Sequence, residues 1–287
     1  MKPALTLEEQ LQLLTSRQLA FGDRDAATRL LYDAGYYRLS GYLRYFQISP
    51  GSGNNTFKPG ATFEQVKRVY MFDDELRRWL FDGISILEVV FRSRFAYELA
   101  MQMVDPVAYL DPTSYQQEST TDDRRARLLE TINGELDRSR EPYIAKHFHS
   151  DGAVPIWAAI EVLSFGTVSK MFGLLQAAEV VKAVAKSLKL PLANATGTIE
   201  SLSVLRNVCA HHGRIWNRIP PRAAAPKRNL MTDPDRRIYN RTPWSWIVVL
   251  ADLVDTIQGS KTFSEGFFSF LAEYPDLMAG LKDPRKT

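Results

Sequence analysis

Three side chains able to handle a proton and a phosphate lie close together in the segment LRNVCAHHGRIW, residues 205–216: Arg206, Asn207 and His211. An imidazole with a pKa of about 6.5 can take or give a proton near neutral pH. A guanidinium can grip a phosphate with two parallel hydrogen bonds and stabilise charge that builds on it. A carboxamide can orient either partner. These are sufficient parts for cleaving RNA through its own 2′-hydroxyl with no metal, leaving a 2′,3′-cyclic phosphate and a 5′-hydroxyl end. The same residue types also have ordinary uses, since a helical histidine often caps or packs and an arginine often pairs with a carboxylate. Spacing alone leaves both readings open.

A helix over 198–216 decides which side chains can meet. At about 100° per residue, Asn207 and His211 stand at i and i+4 and share a face, with Arg206 on its flank and Glu200 two turns earlier at its border. Leu202, Leu205, Val208, Cys209 and His212 fall on the apolar side. The adjacent His211 and His212 project about 100° apart and cannot easily chelate one ion. Cys209 has no activating base beside it, so it is not expected to act as a nucleophile. His147 and His149, in KHFHS, have a spacing that could bind metal, but a solvated loop is the preferred reading. No metal and no cofactor is expected.

The elements around this helix read as helical throughout. Thr6 with Glu9 forms a capping box, Asp23 caps a second helix, and Thr62 with Gln65 opens another. GYYRLSGYLRYFQ, 35–47, fits either an aromatic strand or a helix face. SPGSGNNTFKPGATF, 49–63, reads as a loop. The long periodic run 63–103 predicts one helix followed by a long one, with a break near Phe72 to Asp74. A charged helix is expected over 122–138, then a buried helix from Pro155 interrupted near Gly166. Two last helices are expected near 244–258 and 263–274. Strands do not alternate with helices, so the expected class is all-α. The expected organisation is an N-terminal helical segment (1–50), a helical core carrying the Arg206–His211 helix (61–220), and a basic loop with C-terminal helices (221–287).

The composition is that of a globular protein, 45% hydrophobic and 24% charged over 287 residues. One cysteine forms no internal disulfide, which suits a reducing cytoplasm. The N-terminus carries Glu8, Glu9 and Gln10 where a secretion signal would be apolar, and no apolar run is long enough for a membrane span. The net charge of +3 does not by itself imply a polyanion partner. Its distribution is more informative: Arg206, Arg214, Arg218, Arg222, Lys227, Arg228, Arg236, Arg237 and Arg241 are opposed only by Asp233 and Asp235. Such a patch can attract phosphates, or it can be a solvated arginine-rich loop. No helix-turn-helix with a basic recognition helix is evident, which disfavours a DNA-binding regulator.

Three blocks resemble a known family. GYYRLSGYLRYF (35–46) is similar to the tyrosine-rich signature of the Abi-like proteins, the abortive infection bacteriophage-resistance proteins of the D/F type. VYMFDDELRRWLFDGISILEVVFRSRFAYELA (69–100) is similar to their central helix. LSFGTVSKMF with LRNVCAHHGRIWN is similar to their C-terminal part. That family lies within the HEPN superfamily of helical proteins, so the resemblance implies a HEPN-like helical bundle with N- and C-terminal helical extensions. The superfamily's nuclease signature, an arginine, a polar residue, then a histidine, maps onto Arg206, Asn207 and His211. The resemblance therefore implies a metal-independent endoribonuclease toxin acting on RNA in phage defence. It also implies a homodimer with a composite site, restrained by an antitoxin, an inhibitory RNA or an inactive assembly. Glu88 and Arg92 match polar positions of the central helix, as support for the catalytic helix or as RNA contacts; their plainer use is an i, i+4 ion pair of about 0.3–0.5 kcal/mol. Tyr36, Tyr37, Arg38 and Tyr42 could stack bases, although packing against the central helix is the better reading. Arg214, Arg218, Arg222, Lys227 and Arg228 are the RNA-binding candidates. Asp73 with Arg77 and Arg78 reads as a helix-terminal carboxylate and a charged face. The alternative is a non-catalytic RNA-binding or protein-interaction module on the same fold.

Overall fold

Capping side chains start six of the thirteen described α-helices. The Thr6 hydroxyl accepts from the Glu9 amide while the Glu9 carboxylate accepts from the Thr6 amide, which begins α1 (Leu7–Ser16). Asp23 caps α2 (Arg24–Ala34), and Gly35, at a φ of 79° that only glycine adopts freely, turns the chain into α3 (Tyr36–Leu43). A short antiparallel hairpin follows, β1 (Gln47–Ser49) with β2 (Asn54–Phe57), Gln47 facing Phe57. A second capping box, Thr62 with Gln65, starts α4 (Phe63–Gln102). The remaining helices are α5 (Arg124–Arg138), α6 (Pro142–Asp151), α7 (Ile156–Val162), α8 (Phe165–Leu174), α9 (Ala178–Ser187), α10 (Leu192–Ala210), α11 (Pro243–Gln258), α12 (Thr262–Ala272) and α13 (Ala279–Lys282). This computed structural model describes residues 3–116, 123–222 and 224–284. Among the described residues the chain is an all-α protein with one small hairpin.

α4 is the axis of the fold: α3, α7, α8, α9, α10 and α11 all pack on it. Leu76, Leu80, Ile84, Leu87, Phe91 and Phe95 are fully buried along it. Each such side chain contributes about 1.5–3 kcal/mol relative to exposure. Gly83 leaves room on α4 for side chains of α11 and α12, since a Cβ there would sit 2.7 Å from Phe263 Cζ and 3.1 Å from Leu250 Cδ2. One hydrophobic cluster runs from Leu11 in α1 to Leu281 in α13. No described helix is long and apolar enough to cross a membrane.

Several expectations are corrected. α4 is one unbroken helix through 72–74, because the buried charge of Asp73 is met on the same helix by Arg77 and no glycine or proline interrupts it there. The segment after Ser49 is not all loop, since β2 pairs with β1. KHFHS is helical, in α6, where His147 Nδ1 bonds Asp151 at 2.7 Å. The interruption expected near Gly166 falls at Leu163 and Ser164, and the Ser164 hydroxyl caps α8. The charged helix starts at Arg124; Asp122 lies outside the described residues.

Candidate functional site

The helix carrying Arg206 stops sooner than the apolar pattern suggests. α10 ends at Ala210, and His211 is its C-cap. His212 follows at a φ of 53°, in the left-handed region. Its amide donates to the Cys209 carbonyl at 3.0 Å, and the Gly213 amide donates to the Val208 carbonyl at 2.7 Å. This is the Schellman pattern, with a histidine in the position that glycine usually takes. The reading of His212 as a packing residue is therefore overturned: the turn lifts it off the apolar side, and it is exposed, as is His211. Cys209 is buried as expected, and burial pushes its thiol up to about 12.

Arg206 leans from α10 toward α4. Its Nε donates to Glu88 Oε2 at 3.2 Å, with the Arg206 side chain 34% exposed and Glu88 14% exposed. Arg92 donates to the other Glu88 oxygen and, through Nη1, to the carbonyls of Ile160 and Leu163 at the end of α7. Glu88 thus joins two arginines from two helices. The exposed pair at i, i+4 is Asn207 and His211, and among the described residues neither side chain has a hydrogen-bond partner. Arg206 reaches toward α4 on one flank of that pair. No hydrogen bond joins the three side chains to one another. Among the described residues, no group of three or more His, Cys, Asp or Glu is placed to hold a metal ion.

A second anchor lies just beyond His211. Asp73 is completely buried. Its carboxylate accepts from the Tyr42 hydroxyl at 2.6 Å, from Arg77 Nη1 at 2.7 Å, and from the backbone amides of Trp216 at 2.7 Å and Ile215 at 3.2 Å. Burial pushes this carboxyl upward, and the four donors pull against that shift. The tyrosine-rich block closes around the same segment. Arg38 Nη1 donates to the His212 carbonyl, and the Tyr45 ring meets Trp216 edge-on at 4.5 Å. Tyr42 is buried, whereas Tyr37 is exposed. Reading Asp73 as a helix-terminal carboxylate was wrong. The available signal was its place in the buried series Val66, Val69, Asp73, Leu76, Leu80, where a charge demands partners.

The basic run is largely engaged within the fold. Arg214 is not an open phosphate contact: its Nη1 holds the carbonyls of Trp216 and Asn217, both at 2.9 Å, and burial lowers its pKa. Arg218 donates to the Arg214 carbonyl at 3.2 Å. Arg222 pairs with Glu200 at 3.0 Å and Lys227 with Asp252 at 2.6 Å. Arg228 is exposed. The local positive excess is met by carbonyls of the same segment and by carboxylates from other elements, which a count along the chain cannot register.

No curated protein and no solved structure matches this chain. Residues 29–217, well over half of the chain and spanning both anchors, match the family described as Abi-like protein, and the chain belongs to that family.

Proposed function

We propose that this protein is an abortive-infection endoribonuclease of the HEPN type, cleaving RNA without a metal at the face formed by Arg206, Asn207 and His211. The observation that carries the reading is Glu88, which holds the Arg206 guanidinium in one orientation, one-third exposed, on the flank of two unpartnered polar side chains. Family membership supports a role in abortive infection, a phage-defence response. In the reaction His211 takes the proton from a 2′-hydroxyl, and that oxygen attacks the adjacent phosphorus. Arg206 stabilises the charge on the phosphoryl oxygens, Asn207 orients the phosphate, and the bond to the 5′-oxygen breaks. The leaving oxygen needs a proton, and in a homodimer His211 of the partner subunit supplies it. Val89, Tyr97 and Met101 on α4 and Trp157 on α7 are exposed apolar side chains of the kind a partner subunit could cover. Arg92 serves by holding Glu88 and α7. RNA outside the site is gripped by Arg228 and by Arg222 and Lys227, whose carboxylate partners phosphates would displace, and Arg218 lies next to them. An antitoxin or inhibitory RNA restrains the enzyme.

The test compares wild type with His211→Ala, expressed at equal levels. Growth arrest and new 2′,3′-cyclic phosphate ends in total RNA are expected for the wild type and lost in the variant. Indistinguishable growth and RNA ends would refute the nuclease and leave the protein-interaction module, for which those exposed apolar side chains are the supporting observation.

A further inference from the structure

His212 is costly where it stands. A non-glycine residue in the left-handed region is uncommon, and glycine would close the same Schellman turn without strain. Its side chain makes no hydrogen bond among the described residues, and Arg38 holds only its carbonyl. The side chain instead lines a groove of about 320 Å³ between α4 and the end of α10. That volume lies at the low end of the roughly 300–1,000 Å³ typical of small-molecule sites. The opposite wall is α4. It contributes the Phe81 ring, 39% exposed, the Arg78 guanidinium, bonded to Asp74 but largely exposed, and the Asp82 carboxylate, which has no hydrogen-bond partner among the described residues. Cys209 and Ala210 form the apolar floor.

Two basic and two acidic side chains line this groove, Arg77 and Arg78 with Asp74 and Asp82, so it does not select for phosphate by net charge. It offers an aromatic face, an imidazole and a free carboxylate, which are the means of holding a flat heterocycle with N–H donors on its edge. Guanine suits the carboxylate best, since its N1–H and N2–H point the same way. The groove also begins one residue from His211. We propose that it holds the base next to the scissile phosphate, with Phe81 and His212 against its faces and Asp82 accepting from a guanine edge. This rests on the ribonuclease reading of the Arg206–His211 face and gives that site a sequence preference.

The experiment uses full-length protein and two fluorescein-labelled 2′-O-methyl RNA hexamers, which cannot be cleaved: one all uridine, one with a single central guanosine. Wild type is expected to bind the guanosine hexamer roughly tenfold more tightly, and Phe81→Ala and Asp82→Asn are each expected to lose about that factor, within the range of base–aromatic stacking. His212→Gly is expected to raise the melting temperature and yet weaken binding of the guanosine hexamer. Equal affinity for the two hexamers, unchanged in all three variants, would overturn the groove while His211-dependent cleavage by wild type still stood. A wild type that neither binds either hexamer nor cleaves RNA would overturn the ribonuclease reading itself, and the groove with it.

Discussion

Replacing Asp73 with alanine tests whether the segment after His211 is held from the core. The substitution leaves Arg77, whose side chain is 5% exposed, without its closest partner. Breaking a buried ion pair from one side costs roughly 3–5 kcal/mol. Arg77 keeps Asp74 at 2.8 Å, so the lower end of that range applies. The amides of Ile215 and Trp216 lose their acceptor as well, adding about 1–3 kcal/mol. The expected loss is therefore about 4–6 kcal/mol, a large share of the roughly 5–15 kcal/mol that holds a domain folded. In urea this moves the unfolding midpoint down by about 1.3–2 M at a slope of roughly 3 kcal/mol per molar. Asp73→Asn keeps one acceptor oxygen and is expected to lose about half as much. Hydrogen exchange supplies a local readout: the Trp216 amide should exchange much faster in either variant under native conditions. An Asp73→Ala protein within about 1 kcal/mol of wild type, with the Trp216 amide still protected, would refute the reasoning.

Other outcomes follow from single contacts. Gly280→Ala would place a Cβ 2.2 Å from Trp216 Cε2, so it should cost about 1–3 kcal/mol in thermal unfolding, while Gly197→Ala, with open space around it in α10, should gain up to about 1 kcal/mol. Cys209 should resist a thiol reagent at about pH 8 in the native protein and react at once in denaturant, because its thiol is buried and raised to about 12; fast native labelling would contradict that placement. Glu135 accepts from the Ser164 amide at 2.7 Å, the Ser164 hydroxyl at 3.0 Å and the Thr167 hydroxyl at 2.8 Å at the start of α8, so Glu135→Ala should lower stability by about 1–2 kcal/mol, read as a drop of a few degrees in melting temperature.

Helix identity was legible in the sequence, because capping boxes and apolar stripes are local. Thr6, Asp23 and Thr62 start their helices as their side chains predict. What escaped depends on contacts between distant residues. The polar face of α10 was readable from spacing, and it places Asn207 and His211 together in the open. The end of that helix was not, because the glycine that would signal a stop is Gly213, whereas the left-handed residue is the histidine before it. The buried role of Asp73 depends on amides 142 and 143 positions away. Arg214 counts as free charge along the chain, yet the turn after Gly213 folds its side chain back onto the carbonyls of Trp216 and Asn217, two and three residues on.

The two anchors on α4 also act as a ruler. Asp73 holds Ile215 and Trp216, Glu88 holds Arg206, and both belong to one unbroken helix. They stand about 22 Å apart along its axis. Between the two contacts the chain leaves its helix: α10 ends at Ala210, and the turn at His212 carries the chain on to Asp73. The ruler is graduated in angle as well. One residue inserted into α4 between Asp73 and Glu88 would turn one anchor by about 100° relative to the other, and the motif could then satisfy only one of them. The spacing of a buried aspartate and a half-buried glutamate on one helix thus fixes both ends of the stretch that presents His211.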